Sequence, residues 1–155
     1  MFVAIGPTAT EPAGEAITSG AFWPAISPAD FRLAMRADSA ITANRVRGAL
    51  IEAIAGVNGQ LAPWRLQQQA GGYATLAAVP AEMVDGQSEK VQRYLRAVYC
   101  IAKANLVERY RDYDLTRTGE DKAEALDEPI DDLRRDAGWA VADIQQRPRC
   151  TVELV

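Results

Sequence analysis

The chain has 155 residues, 48% of them hydrophobic and 25% charged, with a formal net charge of −4. That size and balance fit one soluble domain with a single core, and the acidic total argues against a strongly basic nucleic-acid footprint while leaving room for a local basic patch. There is no histidine, which excludes Ser-His-Asp and Cys-His catalysis and any His-ligated zinc site. The two cysteines, Cys100 and Cys150, are too few for a disulfide framework and are not spaced as a metal pair. They read as thiols of a reducing cytoplasm. No apolar run approaches the ~20 residues of a membrane span. The run from Met1 to Ile5 is cut by Gly6-Pro7 and lacks a basic flank, so no secretory leader and no membrane partner are expected.

Residues 1–26 read as an extended N-terminal arm. Gly6-Pro7, Pro12 to Gly14 and Ser19-Gly20 break any helix, while Phe2, Ile5, Ile17, Phe22 and Trp23 are apolar anchors. Phe22-Trp23 before Pro24 predicts docking, on the chain itself or on a partner. A first helix starts at Ser27-Pro28-Ala29-Asp30, with Ser27 as N-cap and Pro28 at the first helical position, and ends near Arg36. A second begins after Thr42. Its apolar residues Val46, Leu50, Ile54, Val57, Leu61 and Trp64 step by four and three. Gly48, Gly56 and Gly59 lie inside it, each costing about 1 kcal/mol relative to alanine, and predict close approach of another helix. Pro63 predicts a kink or an end. Residues 69–86 form a long connection with room for one helical turn.

The third helix is expected to be capped by Ser88 and to run to about Tyr113. One face carries Val91, Leu95, Val98, Ala102, Leu106 and Tyr110, widened by Tyr94 and Ile101. The opposite face carries Arg93, Arg96, Cys100, Lys103, Val107 and Arg111. It reads either as a solvated face with two stray apolar residues or as a subunit interface. A polar loop, Asp114 to Thr118, comes next. The fourth helix reads Leu126, Ile130, Leu133, Ala137, Ala140-Val141 and Ile144, with Pro129 kinking it or marking a restart after Asp127. The tail Thr151-Val152-Glu153-Leu154-Val155 alternates as a short strand that needs a partner, either Phe2 to Ile5 or another chain. The domain reading is an arm at 1–26, a helical bundle at 27–147 and a tail at 148–155.

Candidates for chemistry are few. Carboxylates cluster at Glu120-Asp121, Asp127-Glu128 and Asp131-Asp132. They read as a solvated helix start favoured by the dipole, with magnesium binding as the sharper alternative. Gly71-Gly72-Tyr73 lacks the Lys-Ser/Thr of a phosphate loop. Arg134-Arg135 and Arg147-Pro148-Arg149 are short basic pairs that could touch phosphate. No catalytic residue, metal ligand or cofactor is assigned.

The order of residues carries more than the periodicities do. Phe22-Trp23-Pro24, Phe31-Arg32 before Arg36, Ile41-Thr42, Arg45 to Leu50, Ala53-Ile54 with Val57-Asn58, and Leu61 before Trp64 form the first part of an ordered set. Ala70-Gly71, Val79-Pro80, Tyr94 to Tyr99, Ala102, Leu106 to Arg109, Arg111 to Asp114 and Thr116 to Gly119 continue it. Arg134-Arg135 before Trp139-Ala140, Asp143-Ile144 and Thr151 to Val155 close it. With these gaps, nearly the whole chain resembles the phage head completion protein (GPL) family of temperate tailed phages.

The resemblance implies an all-α, four-helix adaptor-type bundle with an extended arm and a C-terminal strand. It implies a structural virion protein at the capsid–tail junction, assembled in the host cytoplasm. Such a protein forms a homo-oligomeric, usually dodecameric, ring under the portal protein and docks a tail terminator or stopper. Packaged DNA passes through the ring without tight binding. In these terms the subunit interface is expected at Arg93, Arg96, Cys100, Lys103, Val107 and Arg111. The portal or neighbour contact is expected at Phe22, Trp23, Thr151, Val152, Glu153, Leu154 and Val155. The channel or tail-side loop is expected at Asp114, Thr116, Arg117 and Thr118. The alternatives are a small helical DNA-binding module using Arg93, Arg96 and Lys103, an assembly accessory, and a metal enzyme using the acidic cluster.

Overall fold

The computed structural model describes residues 14–114 and 130–149. Four helices dominate them: α1 (Pro28–Met35), α2 (Ala43–Ala70), α3 (Glu89–Asp114) and α4 (Ile130–Ile144). A 3-10 turn at Leu76–Ala78 and a two-stranded hairpin, β1 (Met83–Val84) and β2 (Gln87–Ser88), fill the connection from α2 to α3. The chain is thus mostly α. Helix α3 packs against both α2 and α4, whereas α2 and α4 barely touch each other.

The expected caps explain where α1 and α2 start. Ser27 Oγ accepts from the Asp30 amide at 3.2 Å and Thr42 Oγ1 from the Arg45 amide at 3.3 Å. Each satisfies an amide that the first turn leaves without a partner. Arg36 ends α1 in the left-handed conformation, φ 48°, with its amide bonded to the Arg32 carbonyl. Helix α2 buries Val46, Leu50, Ala53, Ile54, Val57 and Leu61, which is the predicted stripe with Ala53 added.

Pro63 does not end α2, which continues to Ala70. Proline removes one intrahelical bond, that to the Gly59 carbonyl. Gly59 is exposed, so water can take that carbonyl. On either side of Pro63, buried Leu61 and partly buried Trp64 hold the helix to the core. Among the described residues the expected close approach at Gly48, Gly56 and Gly59 is also absent, and a Cβ at any of the three would meet none of them within 4 Å. These positions lie opposite the buried stripe, on the outward face.

Residues 14–26 do not extend away from the domain. The Ile17 amide donates to the Ile26 carbonyl at 2.7 Å and the Ile26 amide to the Ile17 carbonyl at 2.8 Å. The loop so closed turns at Gly20, whose φ of 75° suits glycine. It buries Ile17, Phe22, Trp23 and Ile26 in the main core. The C-terminal segment expected as a strand, Thr151 to Val155, lies outside the described residues, as do Phe2, Ile5, Leu126, Asp127 and Pro129.

Gly56→Ala should stabilise the isolated protein by up to about 1 kcal/mol, because alanine restricts the unfolded chain and meets no neighbour among the described residues. Urea denaturation should show a higher midpoint at unchanged slope. An unchanged or lower midpoint would mean that the outward face of α2 is covered in the isolated protein.

Candidate functional site

Two surfaces expected to serve assembly have a defined geometry. The first is the charged face of α3, and α4 of the same chain covers it. Cys100 and Ala104 of α3 meet Leu133 and Ala137 of α4 in a small buried cluster. Ion pairs rim it. Arg93 lies 3.9 Å from Asp143 and 3.4 Å from Glu89, Arg96 lies 3.4 Å from Asp136, and Arg134 of α4 lies 2.6 Å from Glu108. The apolar break at Cys100 is therefore a seat for α4, while the Arg93 and Arg96 side chains at its rim remain 37% and 59% exposed. The small buried residues Cys100 and Ala104, four apart on α3, were the sequence signal for this second face. Lys103 turns to the Arg36 carbonyl at 3.5 Å. Val107 is half-buried, and the Arg111 side chain lies beyond those described.

The pairing extends to the arginines considered for phosphate. Arg135 lies 2.8 Å from Asp132 and 3.1 Å from Asp136. Arg149 donates to both carboxylate oxygens of Asp143, at 3.1 and 2.8 Å. That hydrogen bond holds the Asp143 carboxyl below its ordinary pKa against the opposing effect of desolvation, and the charges of Arg149, Arg93 and Arg96 add to the lowering. The Arg135 and Arg149 guanidinium groups also lie 4.6 and 5.0 Å from the centre of the Trp139 ring, within cation–π range. Among the described residues no three His, Cys, Asp or Glu side chains converge as a metal set, and no helix is long and apolar enough to cross a membrane.

The second surface is a groove of about 490 Å³ where the 14–26 loop, the 3-10 turn, the hairpin and the start of α3 meet. Phe22, Trp23, Thr75, Met83, Ser88 and Val91 are among its lining residues. Phe22 and Trp23 are only 3% and 5% exposed, so they dock on their own chain and contribute a wall. Trp23 stacks on Tyr94 with ring centres 4.8 Å apart, and Phe22 meets Trp23 edge-on at 4.7 Å. The Phe22 carbonyl accepts from the Leu76 amide at 2.8 Å, tying the loop to the 3-10 turn.

The hairpin is the other wall. Asp85 and Gly86 have φ of 52° and 74°, the pair of positive values that a type I′ turn requires. The dipeptide Asp85-Gly86 was the readable signal inside a stretch expected to be a loop. Gln92 pins the hairpin to α3 by donating to the Val84 and Gln87 carbonyls at 2.6 and 3.2 Å. Ser88 does not cap α3 as expected. Its hydroxyl is buried with no partner among the described residues, and the Glu89 amide bonds to the Glu82 carbonyl at 3.0 Å. Met83 and Val84 remain exposed large apolar side chains.

Beneath both surfaces, two polar side chains tie the helices together. Lys90 is buried, donates to the Ile144 carbonyl at the end of α4 at 3.0 Å, and lies 5.8 Å from the Trp64 ring. Desolvation lowers its pKa, Arg93 adds to that, and Glu89 opposes it. Tyr94 is fully buried. Its hydroxyl donates to Asn58 Oδ1 at 2.7 Å, and Asn58 Nδ2 donates to Ser19 Oγ at 3.1 Å. Desolvation pushes the Tyr94 pKa up to about 12, although hydrogen bonds with Ser19 and Asn58 pull it down. Of the expected channel-side loop, Asp114 is the last residue of α3. Thr116, Arg117 and Thr118 lie outside the described residues.

A family model described as "Phage head completion protein (GPL)" matches residues 17–155. The chain is 42% identical over 147 residues to a protein of Escherichia phage P2 named "Head completion/stabilization protein". That alignment covers 94% of this chain and 87% of the relative. No solved structure matches.

The Tyr94 environment predicts a defined alkaline response. A tyrosine whose folded pKa is raised stabilises the fold fully below its unfolded value of about 10 and loses that contribution as pH rises through about 12. Denaturant titrations from pH 9 to 12 should show a loss of roughly 2 to 3 kcal/mol from this group. Tyr94→Phe should be less stable at pH 7 by about 1 kcal/mol but flatter over the alkaline range. Equal slopes for the two proteins would contradict the assignment.

Proposed function

The chain belongs to the phage head completion protein (GPL) family, and from that premise we propose that it is a structural virion protein of the adaptor type. It completes and stabilises the DNA-filled head, forms a ring of about twelve subunits under the portal, and offers the tail terminator or stopper its docking surface. The match along residues 17–155 and the P2 relative's name carry this reading. The site of action is the capsid–tail junction. In this reading the helices are an adaptor-type bundle, and the regions outside the described residues supply the channel loop and a terminal contact.

Physical features support the reading. A closed ring needs two different surfaces on one subunit, arranged so that the rotation closes. A channel for sliding DNA is served by a surface that does not hold phosphate. Arg93, Arg96, Arg134, Arg135 and Arg149 each have a carboxylate partner, which leaves little counterion release to drive DNA binding. The same pairing counts against the DNA-binding alternative.

Negative-stain electron microscopy of purified portal mixed with the protein should show an added coaxial ring at one end of the portal, with about twelvefold symmetry. Portal particles unchanged in outline at saturating protein would overturn the adaptor reading. For the DNA question, a gel-shift titration of duplex DNA at low salt should show no complex at micromolar protein. A complex that weakens steeply with added salt would restore the DNA-binding alternative.

A further inference from the structure

We propose that the groove between the 14–26 loop and the hairpin receives the C-terminal tail, Cys150 to Val155, of a second copy of this chain. The proposal rests on the reading of the chain as a self-assembling head protein and names the contact that would join the copies. Three features suit the groove to an extended segment. Its walls are apolar, from Phe22, Trp23, Met83 and Val91. They are held in place beforehand, one by the stack on Tyr94 and the other by the Gln92 hydrogen bonds. Among the described residues the hairpin has two strands, which leaves strand edges to which a further strand can add. Ser88 lines the groove and carries a buried hydroxyl without a partner among the described residues. An added backbone supplies groups to which that hydroxyl can bond.

The length of the tail and the place where it begins select the occupant. The segment alternates, so Val152 and Leu154 share one side. Arg149 is anchored on Asp143, which also lies 3.9 Å from Arg93. The described chain therefore ends on the Arg93 side of α3. At about 100° per residue, Val91 lies about 160° round α3 from Arg93. The six residues after Arg149 reach at most about 20 Å. Crossing a helix about 10–12 Å across takes three or four of them. Too few remain to set both Val152 and Leu154 in the chain's own groove, whereas a neighbouring copy can receive them all. Tail and groove are two different surfaces, as a head-to-tail assembly requires.

Two full-length variants and one peptide test this. Leu154→Asp spoils the tail and leaves the groove. Met83→Asp spoils the groove and leaves the tail, and it spares the core because Met83 is 65% exposed. A fluorescent peptide of residues 149–155 should bind the Leu154→Asp chain saturably, read by anisotropy. It should bind at least tenfold more weakly to a chain carrying both substitutions. Leu33→Asp, at a residue 81% exposed on α1, should leave binding unchanged when added to Leu154→Asp. In sedimentation, each single variant should lose self-association, and an equimolar mixture should recover heterodimers.

No saturable binding, or binding undiminished by Met83→Asp, overturns the proposal. So does binding of a peptide of residues 1–13 in place of the tail peptide. Failure of the mixture to recover while the peptide binds overturns the second-copy assignment in favour of the chain's own tail. A Leu154→Asp chain that self-associates normally but fails to join portal overturns it in favour of the portal. The peptide measurement stands whether or not a ring forms under the portal, so the two readings fail separately.

Discussion

Helix α3 has to be buried from two sides, and the placement of the other elements follows from how each side is covered. One side is broad and apolar, with Tyr94, Val98, Ala102 and Leu106, and takes α2 together with the 14–26 loop. The other side is narrow, with Cys100 and Ala104, and takes Leu133 and Ala137 of α4. Side-chain size sets the division. Large side chains need a long helix and an aromatic loop to fill the space around them, while small ones let a short helix come close. At the first turn of α3, Lys90 joins the two sides. Its ammonium meets the carbonyl end of α4, where the helix dipole favours a cation, and lies near the Trp64 ring of α2. A leucine there would pack but would leave the Ile144 carbonyl without that donor.

Much of this was legible in the sequence. The steps of three and four in α2, α3 and α4, and the caps Ser27 and Thr42, are local consequences of helix geometry. What periodicity cannot say is which partner covers a face. The mixed face of α3 read as a place for another subunit because arginines around Cys100 look alike whether carboxylates arrive from within the chain or from outside. Phe22-Trp23 likewise announced docking without its direction. The stack on Tyr94 is settled by residues some 70 positions apart. Pro63 misled for a physical reason: the cost of one lost bond is local, whereas Leu61 and Trp64 hold the helix through tertiary contact. The hairpin was present in Asp85-Gly86 but short, and two-residue strands have no alternation to read.

The charge pattern has a consequence beyond stability. Exposed ion pairs such as Arg135 with Asp132 contribute little to folding, commonly less than about 1 kcal/mol each. Their larger effect is on the field outside the protein. Arginines already paired with carboxylates present a muted positive potential, and the seam between α3 and α4 alternates in sign along its length. The chain belongs to a phage head completion family, and the proposed place beside packaged DNA would expose it to phosphate at high local density. Pairing Arg93, Arg96, Arg134, Arg135 and Arg149 within the fold limits nonspecific capture by these five without giving up guanidinium packing on Trp139.

The covered face of α3 changes where a neighbour could bind. With α4 seated there, the exposed apolar groups left among the described residues are Met83 and Val84 on the hairpin, Leu33 on α1, and Ile51 and Leu66 on α2. Of these places, the hairpin borders the groove, and its walls are fixed before anything arrives. Preorganisation matters more than area for a short segment, because ordering six residues on a yielding surface would consume most of what their contacts return. The groove reduces that cost on the receiving side. A contact built from one concave and one extended surface is polar in direction, so it can pass from copy to copy. Whether it then closes into a ring is fixed by the rotation it imposes, which belongs to the angle between tail and groove.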